Sequence, residues 1–528
     1  MYRRLSIDAL GAGAAAGLAA EALVLRMNPE VAQTVRGVLA GMPLWASWGM
    51  LLVGVPLLIG LAFLQRFRPR PERWTSPELY AVVFMVAAIL SGVNAKLHAR
   101  LLQGSAHRVL AQDAVAWSIA AVLALIGGAV IRRMGGGRWV RIAFTIIMLA
   151  LPVMRVVWAP TPPRQYLEVE ARPLGQPTRP LLVIGLEGLD AKVLLADATS
   201  QSLATLARLR EEGSRAVLAP HRPYLRWALW TSAATGTYPG RHGVKAHWGW
   251  DFPLVFPEPL RLLPWTPEGS RMILPWALAE RVLPPPATVA PLWARLGVSD
   301  VSTSVFGWPG SWGEDPALRP DIDLQTRAVL EPTMSASLEA ALEDLPERRA
   351  QIWAAVVRDQ ARVDAARMAL DEGVSNVWIH LETLALARMH HEPLRPRHSR
   401  ERRFLELVME LVDDHLGTLL GAADPRTLVA VVSPYGLSPP GPFERIKRLF
   451  GGGESWHTSA EACPDGLLVL LGEGVAIGRR APPATPPDVA PTLCYLLGLP
   501  VAQYMEGGVV VGAVAATFLE EHPLRVVD

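Results

Sequence analysis

The sequence predicts an α/β protein in which an N-terminal bundle of about five transmembrane helices precedes a mostly parallel sheet sandwiched by helices. Three observations predict it. Long uncharged apolar segments fill much of residues 1–160, and short apolar strand-like runs alternate with helical stretches after residue 180. The charge is also divided, because residues 1–158 hold 16 Lys and Arg against 6 Asp and Glu, although the net charge of all 528 residues is only +2. A basic membrane part joined to an acidic soluble part explains this division.

Five apolar segments are the candidate membrane spans. They cover residues 5–25, 37–65, 79–95, 114–131 and 142–160. The third and fourth are close to the minimum length for a span, and the fifth contains Arg155, which can snorkel to an interface. The first follows Arg3 and Arg4, so a cleaved signal peptide is the alternative interpretation. It also contains Glu21, which is a functional intramembrane carboxylate unless the helix is short or Glu21 pairs with an arginine near a helix end.

The distribution of Lys and Arg among the loops predicts the orientation of the spans. Ten of them lie before the first span, between the second and third, and between the fourth and fifth, whereas five lie in the other two loops. Because cytoplasmic loops carry the excess of positive charge, we expect a cytoplasmic N-terminus in a multi-pass cytoplasmic (inner) membrane protein. Five spans then place the C-terminal domain on the periplasmic or extracellular side. There, Cys463 and Cys494 either form a disulfide or stay unpaired in the core.

Composition divides the chain into three parts. Residues 1–158 form the predicted transmembrane helical domain, residues 159–178 a Pro-rich linker, and residues 179–528 the globular domain. Within the globular domain, a Pro-rich insertion at residues 253–287 holds nine prolines and several large apolar side chains. Its apolar groups need cover, which the membrane domain, lipid headgroups or a partner could provide.

The globular domain contains five strand-like runs. They lie at residues 180–186, 301–306, 377–381, 428–433 and 467–471. Helical stretches between them indicate a mostly parallel sheet covered on both faces, and ligands bind beyond the carboxyl ends of such strands. The candidate site residues are therefore those that follow the strands: Glu187, the loop 221–230, residues 382–391 and residues 434–437.

Several ordered motifs resemble those of one family. They are Leu182–Asp190 (LVIGLEGLD), Leu229–Gly236 (LWTSAATG) with Pro239–Gly243 (PGRHG), Phe306–Gly310 (FGWPG), and Asp488–Pro500 followed by Met505–Gly507. Together they resemble the type I phosphodiesterase/nucleotide pyrophosphatase family of the alkaline phosphatase superfamily. The resemblance covers about residues 180–515 and implies an alkaline-phosphatase-like domain.

The resemblance also implies a two-metal site for phosphoryl transfer. The family holds two divalent cations, such as Zn or Mn, with three aspartates and three histidines beside a Thr or Ser nucleophile. Here the first aspartate position is Glu187, and the nucleophile position is Arg226. An Asp-His pair is replaced by Pro434 and Tyr435. Arginine cannot be deprotonated and cannot attack phosphorus, so we assign no catalytic residue.

The remaining metal positions are partly kept. An Asp-x-x-x-His element falls on Leu386 and His390, and the last histidine falls on His457. The residual metal ligands are thus Glu187, His390 and His457, and we expect no cofactor. The alternative is one or two divalent metals at a rebuilt site. Candidate replacement ligands are Glu382, His391, Asp251 and His247.

Arg226 suggests what replaced the metals. It precedes a predicted helix whose N-terminus already carries partial positive charge, so its guanidinium needs an anionic partner. We expect Arg226 to pair with Glu187 in the former metal and nucleophile space, with Tyr435 completing a ligand-binding set. In the alternatives, Arg226 points into solvent, or Arg226 and the helix N-terminus hold a phosphate-bearing ligand without cleaving it.

Two further clusters have both a structural and a functional interpretation. The spacing of His221, His242 and His247 matches no metal motif, which favours ordinary loop histidines. Four tryptophans could stack on a ligand, although an aromatic core is the commoner use. They are Trp227, Trp230, Trp248 and Trp250.

These replacements predict a catalytically inactive pseudoenzyme with a binding or scaffolding role at the outer face of the membrane. Its expected partners are the lipid bilayer and either other membrane-protein subunits or a phosphate-bearing ligand. The alternatives are an active metal-dependent phosphodiesterase or phosphotransferase with a rebuilt site, and a structural subunit of a membrane complex. Nucleic-acid binding is excluded, because the basic residues form no stripe with aromatic partners.

Overall fold

The computed structural model of the chain has two compact units. Unit 1 comprises Met1–Gln165 and Lys245–Pro284, and unit 2 comprises Tyr166–Val244 and Pro285–Asp528. The structure describes residues 2–28, 35–67, 76–102, 104–133, 138–157, 172–190, 203–222, 224–245, 248–250, 260–262, 264, 279–281, 287–310, 334, 336–338, 346–390, 399–437 and 464–527.

Unit 1 is built from apolar helices, which satisfy every backbone hydrogen bond internally and so suit a bilayer. Their bounds are α1 Tyr2–Met27, α2 Val35–Gly49, α3 Val55–Phe67, α4 Ser76–Leu97, α5 Gly104–Arg133 and α6 Arg138–Val157. A π-helical turn at Met50–Gly54 joins α2 to α3. Within the described ranges, four stretches are long and apolar enough to cross a membrane: Ile7–Met27, Gly41–Phe63, Pro77–Leu97 and Ala106–Arg133. The fifth predicted span forms a shorter apolar helix, Ile142–Val157.

Helix α1 contacts each of the other five helices of the bundle. Small residues allow this, because Gly13 and Gly17 of α1 meet the backbone of α2 at Gly49 and Trp45. Glu21 is fully buried, and its carboxylate oxygens have no hydrogen-bond partner in the described part of the chain. The pairing of Glu21 with an arginine, one of the sequence-based interpretations, is therefore not formed there.

Unit 2 contains the α/β fold. The strands, numbered through the whole chain, are β1 Leu181–Leu186, β2 Ser214–Leu218, β3 Trp248–Trp250, β4 Ala279–Arg281, β5 Thr303–Phe306, β6 Asn376–Leu381, β7 Leu428–Tyr435, β8 Asp465–Leu471, β9 Val501–Ala502 and β10 Val526–Val527. The helices of unit 2 are α7 Ala204–Glu212, α8 Arg226–Thr235, α9 Pro239–His242, α10 Leu292–Val298, α11 Pro346–Asp371, α12 Thr383–His390, α13 Ser399–Ala422, α14 Val489–Leu496 and α15 Ala516–Glu521.

The main sheet has six strands in the order β2-β8-β7-β1-β6-β5. β5, β6, β1 and β7 run parallel, whereas β8 is antiparallel to both β7 and β2. The prediction of a mostly parallel sheet is confirmed for four adjacent strands, and all five predicted runs form strands. β2 was missed, because it is short and alternates buried with half-buried residues as an edge strand does.

Helices cover both faces of this sheet. The side chains of β1 alternate between two cores, since Leu181 and Val183 pack with α8 and α14, whereas Leu182 and Ile184 pack with α11 and α13. β1 lies between β6 and β7, so the carboxyl ends of three parallel strands lie side by side. The residues just after these strands therefore meet in space, as expected for a sheet of this class.

Part of the predicted Pro-rich insertion packs within unit 1. Asn28, just after α1, accepts the backbone N–H groups of Arg261 and Leu262 at 2.9 and 2.8 Å and donates to the Leu262 carbonyl oxygen at 2.8 Å. Leu260 is fully buried in the helical core. Of the three surfaces considered for the insertion, residues 260–262 therefore dock on the membrane helices. The short strands β3 and β4 pair antiparallel and also belong to unit 1.

Some predictions fall outside the described residues. They include residues 159–171 of the linker and Cys463. Cys494 is buried in α14, and its pairing with Cys463 stays a prediction.

Candidate functional site

Glu187 follows β1 directly and is fully buried at the carboxyl end of the sheet. Its backbone N–H donates to the Leu381 carbonyl oxygen at 3.0 Å, which continues the pairing of β1 with β6. A buried carboxylate is stable only where hydrogen-bond donors or cations replace its hydration. The neighbouring strand ends and α8 supply them.

Three groups surround the Glu187 carboxylate. Tyr435, the last residue of β7, donates its hydroxyl hydrogen to Oε1. Arg226, the first residue of α8, donates from Nη2 to Oε2, and the Nε2 atom of His380 lies 3.3 Å from the same oxygen. The expected ion pair between Arg226 and Glu187 is therefore present. The alternative of an outward-pointing arginine is wrong, because only 21% of the Arg226 side chain is exposed.

A second carboxylate, Glu382, lies beside Arg226. Its Oε2 atom is 3.5 Å from Arg226 Nη2, and its Oε1 atom accepts hydrogen bonds from Arg358 Nε at 2.9 Å and Nη2 at 2.8 Å. Arg362 Nη1 lies 3.8 Å from the same Oε1. Asp359, between the two arginines on α11, accepts the backbone N–H groups of Glu382 and Thr383 at 2.9 and 2.7 Å and so caps α12.

We call this set of six charged side chains the Arg226 network. It consists of Glu187, Arg226, Arg358, Asp359, Arg362 and Glu382. Three guanidinium groups face three carboxyl groups, of which Asp359 has its pKa raised to about 7 by burial. Such a network fills the end of the sheet with mutually compensated charge, which a buried site requires.

The surroundings of Glu187 hold it in the ionised form. Burial by itself raises the pKa of this carboxyl, but the positive Arg226, the nearby His380 and the hydrogen bond from Tyr435 outweigh burial and lower the pKa to about 2. Burial lowers the pKa of His380 despite its carboxylate neighbour, so this imidazole is neutral at pH 7. Burial also disfavours a charged Arg226, but Glu187 more than compensates and raises the pKa of the guanidinium.

Tryptophan side chains pack behind the site. The rings of Trp230, Trp308 and Trp378 are fully buried and meet edge to face, with centroids 5.0 Å apart for Trp230–Trp308 and 4.9 Å for Trp308–Trp378. Trp230 also packs edge to face on His380 at 4.7 Å. The aromatic-core interpretation therefore holds for Trp230, which is not available for stacking on a ligand. The side chains of Trp248 and Trp250 lie outside the described residues.

The nearby histidines form a separate, buried contact. Ser232 Oγ lies 3.0 Å from His242 Nε2 and 3.4 Å from His221 Nε2. Burial lowers the pKa of His242 to about 3, so the ring is neutral and serves as a hydrogen-bonding group in the core. This arrangement agrees with ordinary structural histidines, and His247 lies outside the described residues.

The described residues do not fit the two metals that the fold implies. Both Glu187 oxygens already accept hydrogen bonds, and a guanidinium occupies the place beside them where a cation would bind. Within the described ranges, no group of three His, Cys, Asp or Glu side chains is arranged to hold a metal ion. His457, His391, Asp251 and the side chain of His390 lie outside those ranges, so the residual ligand set stays a prediction.

Sequence reasoning found part of the site. It predicted that Glu187, Arg226 and Tyr435 lie together. It named Glu382 as a residue after a strand and as a replacement metal ligand, whereas the structure places Glu382 among arginines. His380 was missed because it lies inside an apolar strand. Arg358 and Arg362 were missed as well, although their spacing of four residues puts both on one face of α11 and is the signal that could have indicated them.

Comparisons with known proteins give one family match and several similar solved structures. The family model of type I phosphodiesterase / nucleotide pyrophosphatase matches residues 181–451, about half of the chain. Murine ectonucleotide pyrophosphatase/phosphodiesterase 5 is 12% identical, with a TM-score of 0.36 over 61% of this chain and 95% of its own. The alkaline phosphatase PafA is 13% identical, with a TM-score of 0.43 over 64% of this chain and 99% of its own.

A 2-O GAG sulfatase is 14% identical, with a TM-score of 0.36 over 63% of this chain and 73% of its own. No curated protein matches the sequence significantly. The family match covers β1, α8, β6 and β7, the elements that build the candidate site. The chain is therefore a membrane protein that belongs to the type I phosphodiesterase/nucleotide pyrophosphatase family.

Proposed function

We propose that this family member is a pseudoenzyme, anchored in the membrane, whose globular domain binds or scaffolds other molecules at the outer face. The observation that carries the proposal is the guanidinium of Arg226, at the nucleophile position, bound to the Glu187 carboxylate. Arginine has no lone pair for attack on phosphorus, and its charge repels a divalent cation from the same carboxylate.

The pairing of each arginine with a carboxyl group inside the Arg226 network supports scaffolding over capture of a phosphate. A phosphate would have to displace Glu187 or Glu382 from the arginines, and no unpaired guanidinium of the network is available to it. A phosphate-bearing ligand remains the second candidate, because 21% of the Arg226 side chain and 29% of the Arg358 side chain are exposed. Those N–H edges could turn toward an anion without leaving their partners.

Metal analysis combined with an activity assay tests the loss of catalysis. The purified full-length chain is incubated with Zn or Mn, and both bound metal and hydrolysis of bis(4-nitrophenyl) phosphate are measured. We expect no stoichiometric metal and no turnover above the blank. Turnover that disappears in Glu187→Ala, accompanied by stoichiometric metal, would instead establish an active enzyme with a rebuilt site that uses residues such as His390 and His457.

Ligand binding distinguishes the two non-catalytic roles. Inorganic phosphate is titrated while the thermal midpoint of the full-length chain is followed, and scaffolding predicts no saturable shift. A shift that is lost in Arg226→Ala but kept in Arg222→Ala, an exposed arginine of the same loop, would favour the phosphate ligand. A scaffolding subunit should keep the size of its detergent-solubilised complex in Arg226→Ala.

A further inference from the structure

Three helices of unit 1 bring a charged cluster together inside the bundle. Arg26 Nε of α1 donates to Asp113 Oδ2 of α5 at 2.9 Å, and Arg155 Nη1 of α6 lies 3.3 Å from Asp113 Oδ1. Arg26 Nη2 also donates to the Arg155 carbonyl oxygen at 3.2 Å. Only 4% of the Arg26 side chain and 3% of the Asp113 side chain are exposed.

Among the residues that the structure describes, the cluster has an excess of one positive charge. Two guanidinium groups share one carboxylate, and the Nη1 atom of Arg26 is buried without a hydrogen-bond partner among the described residues. An excess charge inside a membrane bundle is costly, and a buried donor without an acceptor adds to that cost. An anion with several acceptor oxygens would satisfy both.

A ligand can approach the cluster at Arg155. The Arg155 side chain is 35% exposed, whereas the Arg26 side chain is buried. Arg26 and Arg155 lie in the last turns of α1 and α6, so the cluster is near one end of the bundle. Close by along α5 and α6, Val115 and Val157 expose 61% and 50% of their surface, as residues that face lipid do.

We propose that Arg26 and Arg155 bind a phosphate group at this end of the bundle, beside the Asp113 carboxylate that competes with it for both guanidinium groups. A phosphate has enough oxygens to accept from Arg26 Nη1 and from the open edge of Arg155, and arginine is the side chain best suited to it. The phosphate belongs either to an anionic lipid headgroup or to a free phosphate ion. The proposal concerns unit 1 and is independent of the Arg226 network.

Binding is tested on the delipidated full-length chain in a maltoside detergent, which carries no phosphate. Short-chain phosphatidic acid, inorganic phosphate and short-chain diacylglycerol are titrated separately, and the thermal midpoint is followed. We expect a saturable upward shift with phosphatidic acid and none with diacylglycerol. An equal shift with inorganic phosphate identifies the free ion as sufficient, whereas a shift with phosphatidic acid alone identifies a lipid. If neither phosphate compound shifts the midpoint, the proposal is wrong.

Variants separate binding from a merely structural ion pair. Arg155→Gln should weaken binding about tenfold, the usual effect of one charge-assisted hydrogen bond. Arg133→Gln, an exposed arginine at the other end of α5, should bind as the wild type does. Asp113→Asn removes the competing anion and should keep or tighten binding. Equal weakening in Arg155→Gln and Arg133→Gln would overturn the proposal, as would loss of binding in a folded Asp113→Asn.

Discussion

The contact between Arg226 and Glu187 joins two residues 39 positions apart in the sequence. Each charge is unfavourable without the other. The guanidinium lies at the positive N-terminus of α8, and the carboxylate is fully buried after β1. Motif comparison could predict this pair, because Glu187 and Arg226 fall on two family positions that belong to one site and here carry opposite charges. It could not predict Arg358 or His380, whose approach depends on how α11 and β6 pack.

Arg226→Ala should destabilise unit 2 by about 3 kcal/mol, because it leaves the Glu187 carboxylate buried without its cation. Hydrogen exchange of peptides from β1 and β7 in the full-length chain measures the effect locally. The double variant Arg226→Ala/Glu187→Gln should recover much of the loss, since the remaining group is then neutral.

Arg222→Ala provides the matched control for this experiment. Arg222 is exposed in the same loop and contacts Tyr224, so its replacement should change stability by less than about 0.5 kcal/mol. If Arg226→Ala behaves like Arg222→Ala, the ion pair contributes nothing measurable and the account of the site fails.

Glu187 also predicts a pH dependence. Its pKa is about 2 in the folded protein against an ordinary value of 4.5. A lowered folded pKa stabilises the protein above pH 4.5, and this contribution, on the order of 3 kcal/mol, is lost as the pH falls toward 2. The difference in the free energy of unfolding between wild type and Glu187→Gln should therefore be largest above pH 4.5 and become smaller below it. A difference that stays constant from pH 6 to pH 2.5 in exchange measurements would contradict the assignment.

At the scale of elements, the close approach of α1 and α2 depends on glycine. A Cβ atom added to Gly17 would overlap the carbonyl group of Trp45, and one added to Gly49 would overlap the backbone of α1. The sequence indicated α1 as a span rich in Ala and Gly, but not its place at the centre of the bundle. That place follows from which partner backbone the small residues meet.

Gly17→Ala should lower the thermal midpoint of the full-length chain in detergent, because the two helix backbones must move apart. Gly60→Ala is the control: Gly60 lies inside α3 with no atom within 4 Å of an added Cβ, and alanine favours helix there. The control midpoint should stay the same or rise. Equal midpoints for the two variants would show that the α1–α2 approach does not require glycine.

The strands differ in how well a local sequence pattern predicts them. β1, β6 and β7 are uninterrupted runs of buried residues, so a sequence pattern alone predicts them. β2 has no such run, and its strand state depends on pairing with β8. Likewise, no local pattern indicates that residues 260–262 of the insertion pair with Asn28, because that contact spans more than 230 positions.

At the scale of the whole molecule, the Lys and Arg bias predicts that residues after the last span are outside the cell membrane. Ile477 is 84% exposed in unit 2, so Ile477→Cys is a suitable labelling site. In a Cys463→Ser background, in which the buried Cys494 is the remaining native cysteine, a membrane-impermeant maleimide should label Ile477→Cys in intact spheroplasts.

The control for orientation lies on the opposite side. Arg133→Cys, at the C-terminal end of α5, should react with the same maleimide only after the membrane is permeabilised. The reverse pattern, with Arg133→Cys labelled in intact spheroplasts and Ile477→Cys protected, would invert the predicted orientation.

The sequence by itself determined the class of this protein: apolar periodicity and charge distribution identify a membrane bundle, and ordered motifs identify the family of the α/β domain. The resemblance to that family also predicted that Arg226 stands at the nucleophile position. The tertiary structure alone decided what surrounds that arginine, which helix centres the bundle, and that two arginines share Asp113. The reason is physical. The periodicity of apolar residues indicates which side of each helix or strand is buried. A buried charge, in contrast, is compensated by side chains distant in sequence that only folding brings within a few ångströms.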